Sequence, residues 1–154
     1  MDERILAYIE DESISTPPLV GVSIFRVGSD KAQYDIFFTN RRIIAATVFS
    51  TSDLSDLTPL AGMQMMSWKK TRQQRRDQFK GKTLDEILNL HKDSFELPFD
   101  KIKSIKVEKG LSKGKIVVNV LWEGKIETIK LKIPKKHANQ LDQLIKTYLP
   151  GKVI

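Results

Sequence analysis

The fold of this 154-residue chain is decided by the stretch Tyr34-Asp35-Ile36-Phe37-Phe38-Thr39-Asn40-Arg41-Arg42-Ile43-Ile44. In its first half apolar side chains recur at every second position, and this period of two is typical of a β-strand. Asn40-Arg41 is predicted to form a tight turn, because asparagine tolerates a positive φ. A run of β-branched and aromatic residues follows over residues 43–49. Residues 34–49 are therefore predicted to form a β-hairpin.

Further strand signals lie on both sides of this hairpin. Residues 4–9 are a short apolar segment whose type the pattern leaves open, and residues 19–27 are rich in β-branched and aromatic side chains. Downstream, strands are predicted at residues 99–108, 116–122 and 129–133. Glu123-Gly124 is predicted to be the two-residue loop of a second hairpin. The last strand alternates apolar residues with lysines, so we expect one buried side and one lysine-bearing side.

The middle and the end of the chain have helical patterns. Between residues 51 and 94 β-branched residues give way to Met, Gln, Lys, Arg and Leu, which favour helices. One helix is predicted over residues 60–79. A second begins behind Thr83, because Thr83-Leu84-Asp85-Glu86 has the pattern of a capping box. Residues 135–149 repeat apolar residues at spacings of three and four, which predicts a closing amphipathic helix.

The order of these elements predicts an α+β protein. Antiparallel strands before and after a helical segment, followed by one closing helix, fit a small sandwich or barrel of about seven strands. The closing helix supplies an apolar face that can cap an open end of such a barrel. We expect residues 1–154 to form one domain, with residues 51–94 as a helical insertion between the third and fourth strands.

Two parts of the chain resemble prokaryotic pleckstrin-homology-like (PH-like) and GRAM-like domains. Residues 34–44 are similar to the Leu-Thr-Asn-Arg/Lys-Arg-Leu-Ile hairpin of these domains. Their following strand, Ile-Pro-Tyr-x-x-Ile-x-x-Val, is similar to Phe95-Glu96-Leu97-Pro98-Phe99-Asp100-Lys101-Ile102-Lys103-Ser104-Ile105. The resemblance covers residues 4–49 and 95–149. It is carried by the order of the motifs and by the closing helix.

The resemblance implies a partly open seven-stranded barrel, capped by the last helix, with a binding role in place of catalysis. In lipid-binding relatives, phosphoinositide headgroups lie at the loop between the first two strands and are held there by Lys and Arg. If that loop is residues 28–33, this chain offers only Lys31 there, next to Asp30, with Arg26 just before the loop. The resemblance therefore predicts the fold of this chain but does not predict its ligand.

The composition leaves little material for a catalytic or metal site. Cysteine is absent, and the two histidines, His91 and His137, lie on different predicted helices without metal-ligand spacing. We therefore expect no enzyme activity and no cofactor, and the sequence identifies no small-molecule substrate. No apolar run is long enough to cross a bilayer, and the acidic start lacks the apolar core of a signal peptide, so a cytoplasmic location is expected.

Positive charge is concentrated in the later part of the chain. The net charge is +7; residues 1–60 hold 5 basic and 9 acidic residues, a net of −4, and residues 61–154 hold 21 and 10, a net of +11. This balance favours an anionic partner. The candidate cations lie on the predicted helix 60–79 and on the last strand and its exit. They are Lys69, Lys70, Arg72, Arg75, Arg76, Lys130, Lys132, Lys135 and Lys136.

The helix predicted over residues 60–79 leaves four interpretations open. It can be a packed helix with a solvated basic end, since charge runs are usually solvated. It can lie on an anionic membrane, with Met63, Met66 and Trp68 as anchors and the protein peripheral to the inner face of the membrane. It can bind nucleic acid through phosphate contacts, or form a homo-oligomer through its methionines. The favoured hypothesis is a binding module for an anionic membrane or an acidic protein partner.

The lysines of the last strand also have a structural interpretation. Lysines on an edge strand prevent a sheet from pairing with another chain. Lys130, Lys132, Lys135 and Lys136 are therefore candidates for an anion-binding surface and for protection of an edge.

Overall fold

Seven strands and three α-helices make up the part of the chain that the structure describes. The structure is a computed structural model that describes residues 2–10, 32–50, 61–111 and 113–154, with the side chains of all of these except 32, 50 and 61–69. The strands are β1 (Ile5–Ile9), β2 (Ala32–Thr39), β3 (Arg42–Ser50), β4 (Phe95–Pro98), β5 (Ile102–Lys109), β6 (Lys113–Trp122) and β7 (Lys125–Pro134). The helices are α1 (Ala61–Phe79), α2 (Leu84–Asn89) and α3 (Ala138–Tyr148). The strand predicted at residues 19–27 lies outside the described residues.

The strands form two antiparallel sheets. Sheet A has the order β1-β2-β3-β4, and sheet B has the order β5-β6-β7. The predicted α+β class, with antiparallel strands and a closing helix, is confirmed. The predicted closure is not found among the described strands, because sheets A and B remain separate. Helices α1 and α2 lie between β3 and β4 in the chain, where the helical insertion was predicted.

The hairpin of β2 and β3 has the predicted position but a different turn. Asn40 does not have the expected positive φ, since Glu123 alone among the described non-glycine residues has one. Thr39 holds the turn instead. Its Oγ1 accepts hydrogen bonds from the backbone N–H groups of Arg41 (3.0 Å) and Arg42 (2.9 Å). At the second hairpin the prediction of a two-residue loop is confirmed, with φ of 50° at Glu123 and 79° at Gly124.

The central strands of sheet A, β2 and β3, are buried on both of their faces. One face contributes Ile36, Phe38 and Ile43 to a core shared with sheet B and α3. The opposite face carries Phe37, Ile44, Ala46 and Val48, which pack against Phe79 of α1 and Ile87 of α2. Strands that are covered on both sides need apolar residues at nearly every position, which explains the dense apolar sequence of β2 and β3. The helical insertion is therefore a layer over the outer face of sheet A.

Helix α3 fills the opening between the sheets, as its predicted apolar face requires. Leu141, Ile145 and Leu149 are buried in the shared core. The residues after the helix then run beside β5, where the N–H of Ile105 donates to the carbonyl of Lys152 (2.8 Å). The N–H of Ile154 donates to the carbonyl of Ile105 (3.2 Å), so the outer edge of β5 is partly covered.

The boundaries near β4 differ from the prediction. A single strand was predicted over residues 99–108, but Phe99–Lys101 is a 3₁₀ turn, and β5 begins at Ile102. Phe95–Pro98, which the pattern placed in no separate strand, pairs with β3 because Phe95 and Leu97 both enter the core.

The capping box at Thr83 is confirmed in both of its hydrogen bonds. No helix in the described ranges is long and apolar enough to cross a membrane.

Candidate functional site

One arginine of the basic helix α1 points toward sheet A and forms an ion pair there. Arg76 forms a bidentate pair with Asp35 of β2, with Nε–Oδ2 and Nη2–Oδ1 distances of 2.8 Å. Asp35 is 0% exposed, and it also accepts a hydrogen bond from the hydroxyl of Tyr8 on β1 (2.5 Å). Burial opposes the charge of Arg76, but the hydrogen bonds to Asp35 outweigh it and raise the pKa of the guanidinium. Arg76 therefore anchors α1 to sheet A.

The other cations of α1 are divided between the interior and the surface. Arg72 is only 8% exposed, Arg75 is half-buried and Lys70 is exposed. Two of the five predicted anion-binding cations on this helix, Arg72 and Arg76, are therefore turned away from solvent. The predictions for Lys69 and for the anchors Met63, Met66 and Trp68 lie outside the described side chains.

A second arginine, Arg42, joins four parts of the chain. Its guanidinium binds Glu3 before β1 (2.9 Å), Asp85 of α2 (2.8 Å) and Glu96 of β4. Partial burial raises the pKa of Glu3, but hydrogen bonds from Arg42 and Thr39 outweigh that effect, and the pKa lies below its ordinary value. Arg42 therefore holds the helical insertion and the start of the chain to sheet A.

The lysines of sheet B are in a different environment. Six of them collect at the end of the sheet that holds the β5–β6 loop, and all six are exposed. We call this set the lysine end; it comprises Lys109, Lys113, Lys115, Lys132, Lys135 and Lys136. The register places them together, because Lys109 pairs with Gly114, Lys113 with Pro134, and Lys115 with Lys132. Lys135 and Lys136 follow directly in the 3₁₀ turn after β7.

Three members of the lysine end are not among the cations that the sequence predicted. Lys109, Lys113 and Lys115 come from β5 and β6, whereas the predicted set included only lysines of β7 and its exit. The register of the β6–β7 hairpin could have indicated one of them. Because the chain turns at Glu123-Gly124, counting the paired positions back along β6 brings Lys115 opposite Lys132. The predicted Lys130 is half-buried and lies one row further into the sheet, opposite Val117.

The β5–β6 loop closes tightly at the lysine end. The N–H of Gly110 donates to the carbonyl of Lys113 (2.9 Å), and Leu111 stands at the tip with 99% of its surface exposed. Lys135 Nζ donates to the carbonyl of Leu111 (3.1 Å) and so ties the tip to the exit of β7. A Cβ on residue 110 would lie 2.7 Å from the carbonyl oxygen of Lys113, so glycine is required there.

Away from the lysine end, the outer face of sheet B changes character. A polar row crosses the three strands, in which Asn119 bonds Ser104 and Thr128 at 2.7 Å each. Beyond it, at the β6–β7 hairpin, Leu121 and Ile126 lie opposite each other and are 38% and 56% exposed. The two ends of the sheet therefore differ, with dense positive charge at one end and an apolar pair at the other.

A cleft of about 590 Å³ lies between the end of α2, β4 and the β6–β7 hairpin. The rings of Phe95 and Trp122 meet edge to face at 6.2 Å on its wall, and His91 Nδ1 accepts a hydrogen bond from the N–H of Asp93 (3.0 Å). Its charged residues are of both signs and comprise Lys92, Asp93, Glu96, Lys101 and Glu123. The volume suits a small ligand, but the mixed charges favour no single class of ligand.

The described side chains indicate no metal centre, and comparison with known proteins finds no relative. Within the described residues no three His, Cys, Asp or Glu side chains are grouped so that they could hold a metal ion. The chain matches no family model, no curated protein and no solved structure. The surface with the clearest chemical character is therefore the lysine end of sheet B.

Proposed function

We propose that this chain is a non-catalytic binding module of the PH-like type that docks on a negatively charged surface through its lysine end. The PH-like assignment is supported by the order of the elements: four strands, then three strands, then a helix that fills the opening between the sheets. The motifs of residues 34–44 and 95–105 lie on the β2–β3 hairpin and on β4 with the start of β5, in the order that the resemblance requires.

The observation that carries the docking proposal is the charge of the lysine end. Six exposed lysines from three strands and a 3₁₀ turn meet there. Neither residues 109–122 nor residues 128–141 contain an aspartate or glutamate. Each basic residue close to an anionic surface contributes about 1 kcal/mol of attraction. Binding through such a cluster has to weaken with salt, because the attraction is screened within about 10 Å at ordinary ionic strength.

Protection of a sheet edge does not account for all of these lysines. β7 is the last strand of sheet B among the described strands, so edge protection explains Lys132. Lys113 and Lys115 belong to β6, which is the central strand and is paired on both sides. A central strand needs no protection from edge pairing. The charges on β6 therefore support a binding role.

The alternative, nucleic-acid binding by α1, has less support. It requires Arg72, Arg75 and Arg76 to reach phosphates together with Lys69 and Lys70. Arg72 is buried, and Arg76 uses its Nε and Nη2 groups to bond Asp35. Homo-oligomerisation through Met63 and Met66 stays a prediction, because these side chains are not described.

The proposal is tested with two anionic probes and one neutral probe. Binding of the protein to phosphatidylserine vesicles, to poly-L-glutamate and to phosphatidylcholine vesicles is measured at low and high salt. We expect binding to an anionic probe that weakens with salt, and no binding to the neutral vesicles. The triple variant Lys109→Glu/Lys113→Glu/Lys115→Glu should bind up to about a thousandfold more weakly, because it reverses three of the six charges and each reversal costs about tenfold. Absence of binding to both anionic probes at low salt would refute the proposal.

A further inference from the structure

We infer that the negatively charged surface is a lipid bilayer, and that Leu111 enters the bilayer at the tip of the β5–β6 loop. This inference rests on the proposed function, since the lysine end supplies the attraction. It adds a specific partner and a specific point of insertion. A resting position on the bilayer follows, with the lysine end of sheet B facing the headgroups.

The position of Leu111 distinguishes it from an ordinary exposed leucine. Single exposed apolar residues are common on protein surfaces and carry no meaning alone. Leu111, however, is 99% exposed, lies between Lys109 and Lys113 in the chain, and accepts a hydrogen bond from Lys135 at its carbonyl. Any surface that engages the lysine end therefore meets Leu111 as well.

A bilayer satisfies both features of this tip, whereas nucleic acid and a wholly acidic polymer satisfy only one. Its headgroups carry negative charge, and its acyl region accepts an apolar side chain, so lysines and leucine are both stabilised on docking. Nucleic acid offers Leu111 no apolar environment at the phosphate backbone. An acidic peptide likewise offers charge without an apolar phase. The combination of charge and apolar tip therefore favours lipid.

The loop is prepared for insertion by its own contacts. The Gly110–Lys113 hydrogen bond closes it, and Lys135 ties the carbonyl of Leu111 to the exit of β7. A loop that is already closed loses little conformational entropy when it docks. The opposite end of sheet B offers a comparison within the same molecule, because Ile126 is also exposed but lies opposite Leu121 on the β6–β7 hairpin, away from the six lysines.

The absence of cysteine permits a direct test of insertion. Leu111→Cys and, as the matched control, Ile126→Cys each create one labelling site for an environment-sensitive fluorophore. With phosphatidylserine vesicles we expect a blue shift and quenching by lipid-borne quenchers for the label at position 111. The label at position 126 should show neither. Phosphatidylcholine vesicles should leave both spectra unchanged.

An unlabelled variant measures the contribution of the leucine itself. Leu111→Ala should lower the affinity for phosphatidylserine vesicles about tenfold, and Ile126→Ala should change it less than about twofold. Both residues are exposed, so neither substitution should change the free energy of unfolding by more than about 0.5 kcal/mol.

Four outcomes separate this inference from the proposed function. If vesicles bind and the triple lysine variant loses binding, but the label at position 111 stays in water, the inference fails and the proposed function stands. If poly-L-glutamate binds and vesicles do not, the partner is an acidic polymer and the inference is overturned. Tighter binding to duplex RNA than to the vesicles, with no effect of Leu111→Ala, would also overturn it. Absence of binding to every anionic probe removes both proposals.

Discussion

Helix α1 and the lysine end of sheet B both carry dense positive charge, but their side chains have different surroundings. On α1, Arg76 forms a bidentate pair with a buried carboxylate, and Arg72 is buried. At the lysine end all six cations are exposed, and Glu108 of β5 lies opposite Lys115 in the strand register. The first region uses its charge to attach a helix to a sheet, and the second presents its charge to solvent.

The chemistry of the two side chains explains this division. The planar guanidinium of Arg76 matches a carboxylate with two parallel hydrogen bonds and loses less hydration on burial. Arg42, which binds three carboxylates, has the same role for α2 through Asp85. A lysine is a compact and strongly hydrated charge on a flexible stem. Such a side chain stays in water and can approach an anionic surface without a fixed geometry. Density of charge along a sequence therefore does not identify accessible charge.

The largest expected effect comes from removing the internal charge of α1. Arg76→Ala leaves Asp35 buried without its bidentate partner, and breaking such a pair costs about 3–5 kcal/mol of unfolding free energy. Urea denaturation measures this loss. Lys80→Ala, on the same helix end but exposed, should change stability by less than about 0.5 kcal/mol. Equal stabilities of the two variants would contradict the anchoring role of Arg76.

Loss of the second arginine should have a smaller effect. Arg42→Ala removes charge-assisted hydrogen bonds to partly exposed carboxylates, and we expect a loss of about 2 kcal/mol in urea denaturation. Its exposed neighbour in the same turn, Arg41, provides the control, since Arg41→Ala should leave stability nearly unchanged. A larger loss at Arg41 than at Arg42 would mean that the insertion is held in another way.

The pH dependence of stability tests the same cluster. The pKa of Glu3 is lowered in the folded chain, so the ionised form contributes stability above the unfolded pKa of about 4.3. That contribution is lost as pH falls through the folded pKa. Glu3→Gln should therefore be less stable than the wild type at pH 7, and the difference should shrink on acidification, as measured by thermal melts. A difference that grows toward low pH would contradict the assigned pairing.

The smallest expected effect on stability is at the lysine end. Lys113→Glu should stay within about 0.5 kcal/mol of the wild type in urea denaturation, because its side chain is exposed. The same substitution should weaken binding to phosphatidylserine vesicles about tenfold, since it changes two units of charge near the surface. A stability loss as large as that of Arg76→Ala would show that this lysine, too, serves the fold.

Much of the framework was predictable because it is encoded locally. The period of two in residues 34–38, the capping box at Thr83 and the apolar spacing of residues 135–149 each specify an element without reference to the rest of the chain. The short strand Phe95–Pro98 was not predictable in this way. Four residues that end in proline carry a weak pattern, and their strand pairing with β3 depends on tertiary contacts.

The candidate site required the register of sheet B. Lys130, Lys132, Lys135 and Lys136 were predicted from one strand and its exit, but the cluster depends on β5 and β6 lying beside that strand. The partner of Arg76 was also hidden, because Asp35 lies 41 positions earlier in the chain. In the sequence Asp35 is a polar residue between the apolar Tyr34 and Ile36, and only the layer of α1 over sheet A makes it an internal charge.

The most direct test of this comparison uses two variants of equal charge. Lys109→Glu/Lys113→Glu/Lys115→Glu changes the lysine end, and Lys70→Glu/Lys80→Glu/Lys82→Glu changes exposed lysines in and just after α1. Each set lowers the net charge from +7 to +1, because every reversal removes two units. In co-sedimentation with phosphatidylserine vesicles, we predict that the first variant loses binding and the second retains most of it. Equal loss in both would show that net charge, and not the lysine end, determines binding, and would contradict the account.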